Sequence, residues 1–538
     1  LSVAAFFAVE ERKAPAAIWI AAAALLAVGL ATQLSLGMMA DVAWLAHCDE
    51  RWLDGAVPYR DFIEINPPAS LLLYLPAVAA ARALGLRSEL CVAVFAFVSA
   101  GAAMALSFAA LRRVGPGVAL AAVVALVVLP GETFAERDHL AAVFGAPLLA
   151  LALARAEGKR PGLGLALAAG VGAGMMAAIK PPYALVGVAL ALYLAARIGW
   201  RAVLRAPEYY AAAAVGLAYV ASVGLFFPAY VANVLPLGAA VYVPAREGLI
   251  ALLGSTGSIL VLLIVVTAAL TSQRPSPGFV VAMLAALAAA LGYLAQGKGW
   301  VYQAVPAAMF ATLAGGFALD ERPRPFAALG AAFATAALVP TFAHNLALAL
   351  LGGIAIGLAV EAMRAGKLAL DLARLAPLAL AAAVGTACGV CVIERPPAPA
   401  LARILAGLGP HLTIGSISED EGLAFPLVRR LGATWVLRAN SLFVSADVAG
   451  LIAAHPGDAA MKARLQPYAD AERKALLEDI ARARPDALLV GPTGTALHAQ
   501  IWADPRIQAA MADYRRVAAE HEPGYTAELW LRKDFARP

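Results

Sequence analysis

The stretch Asp41-Val-Ala-Trp-Leu-Ala-His47-Cys-Asp49-Glu50-Arg51-Trp-Leu-Asp54-Gly55-Ala-Val-Pro58-Tyr59-Arg60-Asp61-Phe-Ile-Glu64-Ile-Asn66-Pro67-Pro68 decides how this chain is read. It crowds carboxylates, arginines and aromatic rings between two apolar segments, in a chain of 538 residues that is 62% hydrophobic and only 14% charged. A polar island in such surroundings is a water-facing loop of a membrane protein. The mean hydropathy of +0.78 excludes a soluble cytoplasmic enzyme. Glycine (46) and proline (34) are dispersed without a period, which excludes collagen-like and low-complexity readings. The net charge of +5, from 41 basic and 36 acidic residues, reflects loop asymmetry, and no nucleic-acid partner is implied.

Working outward from the island, uncharged stretches long enough to cross the hydrocarbon core of a bilayer fall near 16–38, 89–111, 118–131, 139–155, 162–179, 183–197, 209–229, 249–272, 277–295, 302–319, 325–342, 344–360 and 375–393, about thirteen helices. The apolar segment Ala69 to Leu86 sets the parity of all that follow. If it does not span, then Arg112 and Arg113, Arg155 to Arg160, Arg197 to Arg205, Arg274, Arg322 with Arg324, and Arg364 with Lys367 all share the side of Glu11 to Lys13. That is the positive-inside pattern. Ala69 to Leu86 is therefore expected to lie on the outer face as an amphipathic helix interrupted by Pro76. The amino terminus is expected in the cytoplasm and the carboxy terminus outside. No cleavable signal peptide is expected ahead of so long a first apolar run.

From about Arg395 charges become frequent and balanced. Short apolar runs at Leu412–Ile417, Thr434–Leu437, Ala487–Val490 and Leu529–Leu531 alternate with helical stretches such as Ala463–Arg484. The organisation expected is a polytopic α-helical membrane domain over 1–394, with outer loops at 39–88 and 131–139, followed by a soluble extracytoplasmic α/β domain over 395–538. Cys48, Cys91, Cys388 and Cys391 make neither a disulfide framework nor a zinc site.

The chemistry-bearing residues gather in loops that this orientation puts on one face, whereas an ion-coupled transporter usually places charge inside its helices. Asp41 follows directly on the first apolar segment, where a partly desolvated carboxylate open to a water-borne substrate suits a general base. The second outer loop carries Glu136-Arg137-Asp138-His139, able to hold a divalent metal or, through Arg137, a phosphate. Lys180-Pro-Pro-Tyr183 and Gln296-Gly-Lys298-Gly-Trp300-Val-Tyr302-Gln303 add two lysines against the charge trend, as an anionic ligand would require; lipid headgroup contact is the plainer alternative. His344, isolated at an apolar helix end, is expected to be structural.

The order of these motifs, Asp41, then Gly55-x-x-Pro58-Tyr59, then Asn66-Pro67-Pro68, then the Glu136 and Lys298 loops, resembles the GT-C superfamily of membrane glycosyltransferases. That superfamily includes protein O-mannosyltransferases, lipid A aminoarabinose transferases and polyprenyl-phosphate-mannose-dependent mannosyltransferases. The resemblance covers the membrane region to about Arg395. It implies an inverting transfer of a sugar from a polyprenyl-phosphate donor to an acceptor hydroxyl of a glycan, lipid or protein, on the outer face of a bacterial cytoplasmic membrane. In that scheme Asp41 is the base, with Asp49 or Glu50 orienting the hydroxyl or taking the base role. Arg137, Lys180 and Lys298 hold the donor phosphate, and Tyr59, Glu64, Asn66, His139, Trp300 and Tyr302 contact substrate. A divalent ion (Mg or Mn) on Glu136 and Asp138 is an option some relatives use; no cofactor is otherwise required. Many relatives carry an adjacent acidic pair at the end of the first helix, whereas Asp41 stands alone here and Asp49-Glu50 comes later. The rival readings are a polysaccharide polymerase or ligase and a lipid-linked glycan flippase or transporter.

Overall fold

The computed structural model describes residues 16–321, 325–341, 346–365, 372–391, 398–409, 411–522 and 525–535. Glu11 to Lys13, Arg322, Arg324, His344, Lys367 and Arg395 lie outside the described residues, as does the side chain of Arg364. Eight of the described helices are at least 18 residues long and apolar enough to cross a membrane. Shorter apolar helices at Pro116–Val128, Leu163–Ile179, Thr256–Thr271, Ala328–Val339 and Leu375–Val390 fall on the other expected spans. Helix is the form this composition dictates, because in lipid each backbone N–H and C=O must be satisfied within its own segment.

The chain divides into two compact units. The first comprises Leu1–Gly37, Leu90–Val220 and Glu247–Glu394. Arg137–Ala156 and Val301–Asp320 are its most enclosed helices. Small residues let neighbouring helices approach: a Cβ on Gly170 would sit 2.3 Å from the carbonyl oxygen of Glu208, which brings Leu163–Ile179 against Pro207–Phe226. Glu208 is buried there and takes a bidentate ion pair from Arg155, at 2.5 and 2.8 Å. At the start of Pro116–Val123 the Asp320 carboxylate accepts from the N–H groups of Gly117 (2.6 Å) and Val118 (3.3 Å), satisfying two donors that a helix leaves open at its first turn. Gly131 has φ +51° and a Cβ there would meet the Cys391 carbonyl oxygen at 2.3 Å, so that turn requires glycine.

The second unit is built from three separate stretches, Met38–Glu89, Ala221–Arg246 and Arg395–Pro538. Its sheet has five strands: β1 (Thr413–Ser418), β2 (Thr434–Trp435), β3 (Ala487–Gly491), β4 (Tyr514–Glu522) and β5 (Tyr525–Arg532), in the order β2-β1-β3-β5-β4. β1 runs parallel to β2 and β3, and the β4/β5 hairpin adds antiparallel to β3. β3 is buried at every residue, as a central strand covered on both faces must be. The helices Phe443–Ala454 and Ala459–Ala483 cross between β2 and β3, and Val444, Val448, Leu451, Leu465 and Ala469 from them pack with Val241 of the middle stretch.

Two local expectations change. The island does not begin as a loop: Gly37, at φ +79°, ends the helix Ala16–Leu36, and a second helix, Ala40–Leu53, follows. Nor does Pro76 interrupt the next helix, Ala69–Leu84, which runs through it and buries Ser70, Tyr74, Ala77, Val78 and Ala81 on one face. A proline removes one hydrogen bond of the ladder, which packing of that face offsets.

Candidate active site

The second unit carries the first group of candidate residues. Asp41 occupies the first turn of Ala40–Leu53, where the positive end of the helix dipole favours a carboxylate, and only 5% of its surface is exposed. One turn on, the Trp44 indole N–H donates to Glu64 Oε2 at 2.6 Å. Glu64, itself buried, accepts at its other oxygen from both the backbone N–H and the side-chain amide of Asn66, each at 2.6 Å. Tyr59 closes the motif: its hydroxyl donates to the Asn66 carbonyl at 2.8 Å, and its ring packs edge-on to Tyr230 and Phe227. The prolines and Asn66 thus form a tight loop that holds the Glu64 carboxylate in a fixed direction. Burial, with the negative charges of Glu64, Asp49 and Asp41, pushes the Cys48 thiol well above its usual range.

Asp49 and Glu50 have different fates. Asp49 is fully buried, neither of its oxygens has a hydrogen-bond partner among the described residues, and burial, then the charge of Glu50, pushes its carboxyl well above the usual range. Glu50 accepts a bidentate pair from Arg429 at 2.8 and 2.8 Å and a hydrogen bond from Ser88 Oγ at 2.5 Å. Arg429 also donates from Nε to Glu89 at 2.7 Å. Burial would raise the Glu50 carboxyl, but the hydrogen bonds and charge of Arg429 outweigh it and hold the carboxyl low. His47, its ring tilted against those of Trp44 and Phe425, is depressed to about 4 by burial and then by Arg429, and so is neutral at physiological pH.

The first unit carries the second group. Glu136 caps the helix Arg137–Ala156, accepting from the Asp138 N–H at 2.5 Å, while its other oxygen lies 3.3 Å from Arg137 Nε. His139 accepts at Nδ1 from the Ala135 N–H at 3.0 Å, which leaves its proton on Nε2, 3.0 Å from the Leu126 carbonyl that accepts it. Both nitrogens of this ring are engaged by backbone. Asp138 is buried between two partners: Lys180 Nζ at 3.0 Å from one oxygen, and the Tyr183 hydroxyl on the other. Lys180 also donates to Gln296 Oε1 at 3.1 Å and lies 5.6 Å from the centre of the Tyr302 ring. Two of its three N–H donors are so directed. Lys298 lies over the Trp300 ring at 5.9 Å, and Trp300 stacks on Tyr302 at 5.6 Å, between the left-handed glycines 297 and 299 and the helix Val301–Asp320. Gln303 is fully buried, and among the described residues neither side-chain amide atom has a hydrogen-bond partner; its backbone carbonyl accepts from the Tyr183 hydroxyl at 2.8 Å.

The structure therefore joins Glu136 with Arg137 and Asp138, and Asp138 with Lys180, Tyr183 and Gln296; Lys298, Trp300 and Tyr302 form an adjoining aromatic-cation stack. Of the two carboxylates named for a divalent ion, Glu136 is engaged by a helix N-terminus and Arg137, and Asp138 by Lys180 and Tyr183. Among the described residues no group of three or more His, Cys, Asp or Glu is placed to hold a metal ion. Sequence reasoning passed over Trp44 and Arg429. Trp44 stands on the same helical face as Asp41, at spacing i, i+3, a signal that a loop reading of that segment hides. Arg429 has no sequence signal, since its partners lie hundreds of positions away.

No family model matches the chain, and no curated protein sequence matches it. Among solved structures the chain is similar to the crystal structure of ArnT from Cupriavidus metallidurans in the apo state, at a TM-score of 0.52 and 14% identity, over 96% of this chain and 98% of that one. The likeness is one of fold and runs the length of both chains. This protein is a polytopic membrane protein with an ArnT-like fold and a sheet-containing carboxy-terminal region.

Proposed function

We propose that the protein is an inverting glycosyltransferase that moves a sugar from a polyprenyl-phosphate donor to an acceptor hydroxyl at the outer face of a bacterial cytoplasmic membrane, with its carboxy-terminal residues extracytoplasmic. The observation that carries this reading is Asp41, a buried carboxylate in the first turn of a helix beside the fixed Trp44–Glu64–Asn66 network, in a chain of ArnT-like fold. Asp41 takes the proton as the acceptor oxygen attacks the anomeric carbon. The new bond forms on the face opposite the departing phosphate oxygen, which leaves with the bonding electron pair as polyprenyl phosphate. Lys180, Lys298 and Arg137 supply the positive charge that stabilises this leaving group. Asp49, driven toward its neutral form, and Glu50, tied to Arg429, are less suited to be the base, so Asp41 is preferred. The roles of Arg137, Lys180 and Lys298 belong to this proposal, and no step passes through a metal.

The test is transfer of radiolabelled sugar from a panel of polyprenyl-phosphate sugars into membrane extracts by wild type, Asp41→Asn and Asp49→Asn. Incorporation by wild type that is lost only in Asp41→Asn supports the reading. Equal incorporation by all three removes Asp41 as base, and none from any donor favours the flippase or polymerase alternatives.

A further inference from the structure

A cavity of about 400 Å³ lies within the membrane unit, walled by Ile18, Leu120, Val124, Leu319, Leu329 and Leu380 among others. It shares no residue with either group of candidate site residues. Gly117 and Val124 both line it, as do Asp320 and Thr312. At 1.5 Å per helical residue the cavity extends about 10 to 12 Å from the helix ends at Pro116 and Asp320 toward mid-membrane. Its two polar lining side chains are already engaged: Thr312 Oγ1 donates to the Ala308 carbonyl at 2.8 Å, and Asp320 accepts from Gly117 and Val118. Nothing inside would recognise a sugar or a phosphate. The volume falls within the range of small-molecule sites, and its lining suits a hydrocarbon chain.

The charge sits at one end. Arg112 and Arg113 are exposed and stand four and three residues before Pro116, so their backbones lie within about 14 Å of the cavity's end even if fully extended. Lys159 Nζ donates to the Leu111 carbonyl at 3.1 Å, which brings Lys159 and Arg160 to the same place; two acidic residues accompany them, Glu157, 2.7 Å from Lys159, and Asp320, whose carboxylate is engaged by the Gly117 and Val118 N–H groups. An apolar cleft of limited depth with basic residues a few positions beyond its end is complementary to a lipid with one buried chain and an anionic headgroup. We propose that this cavity binds one acyl chain of an anionic phospholipid of the surrounding bilayer, whose phosphate is held by Arg112, Arg113 and Lys159. The site is independent of the transferase reading: its depth takes a segment of ordinary acyl chain and not the bulk of a long isoprenoid carrier.

The full-length protein in mild detergent, exchanged into phosphatidylglycerol, phosphatidylcholine or undecaprenyl phosphate, would be examined by native mass spectrometry for retained lipid. One phosphatidylglycerol per protein is expected, with phosphatidylcholine retained far less. Arg112→Gln with Arg113→Gln, both at exposed positions, should weaken phosphatidylglycerol retention about thirtyfold. Ala381→Phe, which fills the cavity, should abolish it. Should Ala381→Phe fail to fold, the arginine pair alone decides. Equal retention of the neutral and anionic phospholipids overturns the proposal. So does retention unchanged by the arginine substitutions, and so does displacement of phosphatidylglycerol by equimolar undecaprenyl phosphate.

Discussion

Replacing Arg429 by methionine leaves Glu50 and Glu89 facing each other without the guanidinium that joins them. The side chain of Arg429 is 10% exposed, those of Glu50 and Glu89 36% and 24%. Removing one partner of a fully buried pair costs about 3–5 kcal/mol. Because solvent reaches both carboxylates, a discounted loss of about 2–3 kcal/mol is expected, or about 4–12 °C in the unfolding midpoint of a unit of this size. The loss should depend on pH in a defined direction. Glu50 has its folded carboxyl held below the usual value, so its contribution is present above about pH 4.5, the unfolded value, and vanishes as pH falls through the folded one. Wild type and Arg429→Met should therefore differ most at pH 7 and converge in acid. The double variant Glu50→Gln, Arg429→Met should recover part of the loss, since the charge of Glu50 is then gone and Glu89 keeps its ion pair with Arg87 at 3.5 Å. Differential scanning fluorimetry of the full chain in detergent, at intervals between pH 4 and 8, measures all three. A midpoint unmoved at pH 7 would show that the clamp contributes no net stability, and a difference that stays constant into acid would show that its contribution does not depend on the ionisation of Glu50.

Asp41→Asn should lower transfer by about a hundredfold to ten-thousandfold with little change in melting temperature, read by the radiolabel assay and fluorimetry together. Lys180→Gln should reduce kcat more than it raises KM for the lipid-linked donor, because the charge is needed most as the phosphate departs; a pure KM effect would reduce Lys180 to a binding group. Burial pushes Glu472 up to about 7, although the N–H groups of Val444 and Ser445 at 3.0 and 2.7 Å partly offset it. Its folded value is raised, so its contribution is fully present below about pH 4.5 and lost as pH rises through about 7. Glu472→Gln should accordingly flatten the pH dependence of stability across that window; an unchanged slope assigns the titration elsewhere. Gly170→Leu should force Leu163–Ile179 away from Glu208 and strain its pair with Arg155, lowering the yield of folded protein in detergent extracts, whereas Gly164→Leu, where a Cβ meets nothing, should not.

Much of the membrane region was legible because hydrophobic runs of helical length admit one backbone solution in lipid. The strands β1, β3 and β5 were legible for a related reason, their apolar runs being short and punctuated. β4 was not, since Tyr514–Glu522 is a sheet edge that reads Tyr-Arg-Arg-Val-Ala-Ala-Glu-His-Glu and carries no alternating apolar stripe. The helical start of the island escaped because its charges suggested exposure, yet Asp41, Asp49 and Glu64 are buried. Periodicity cannot report a carboxylate enclosed by partners from elsewhere in the chain. The same limit hid the second unit's composition: nothing local in Met38–Glu89 marks it as packing with residues from Arg395 onward. By contrast the Asp138–Lys180–Gln296 association was foreshadowed by basic residues appearing where the charge trend disfavours them.

That discontinuity sets a timetable. Glu50 and Arg429 are 379 residues apart in the chain. At about 5–20 residues per second, the ribosome makes the arginine roughly 20 to 75 seconds after the glutamate. Throughout that interval the helix bearing Asp41, Asp49 and Glu50 has been synthesised and lacks the guanidinium that fixes it, while the spans between are still being inserted. The last-made quarter of the protein thus completes the folding of its first polar segment. A nascent chain arrested before Arg429 should carry finished membrane helices and an Ala40–Leu53 segment still open to protease.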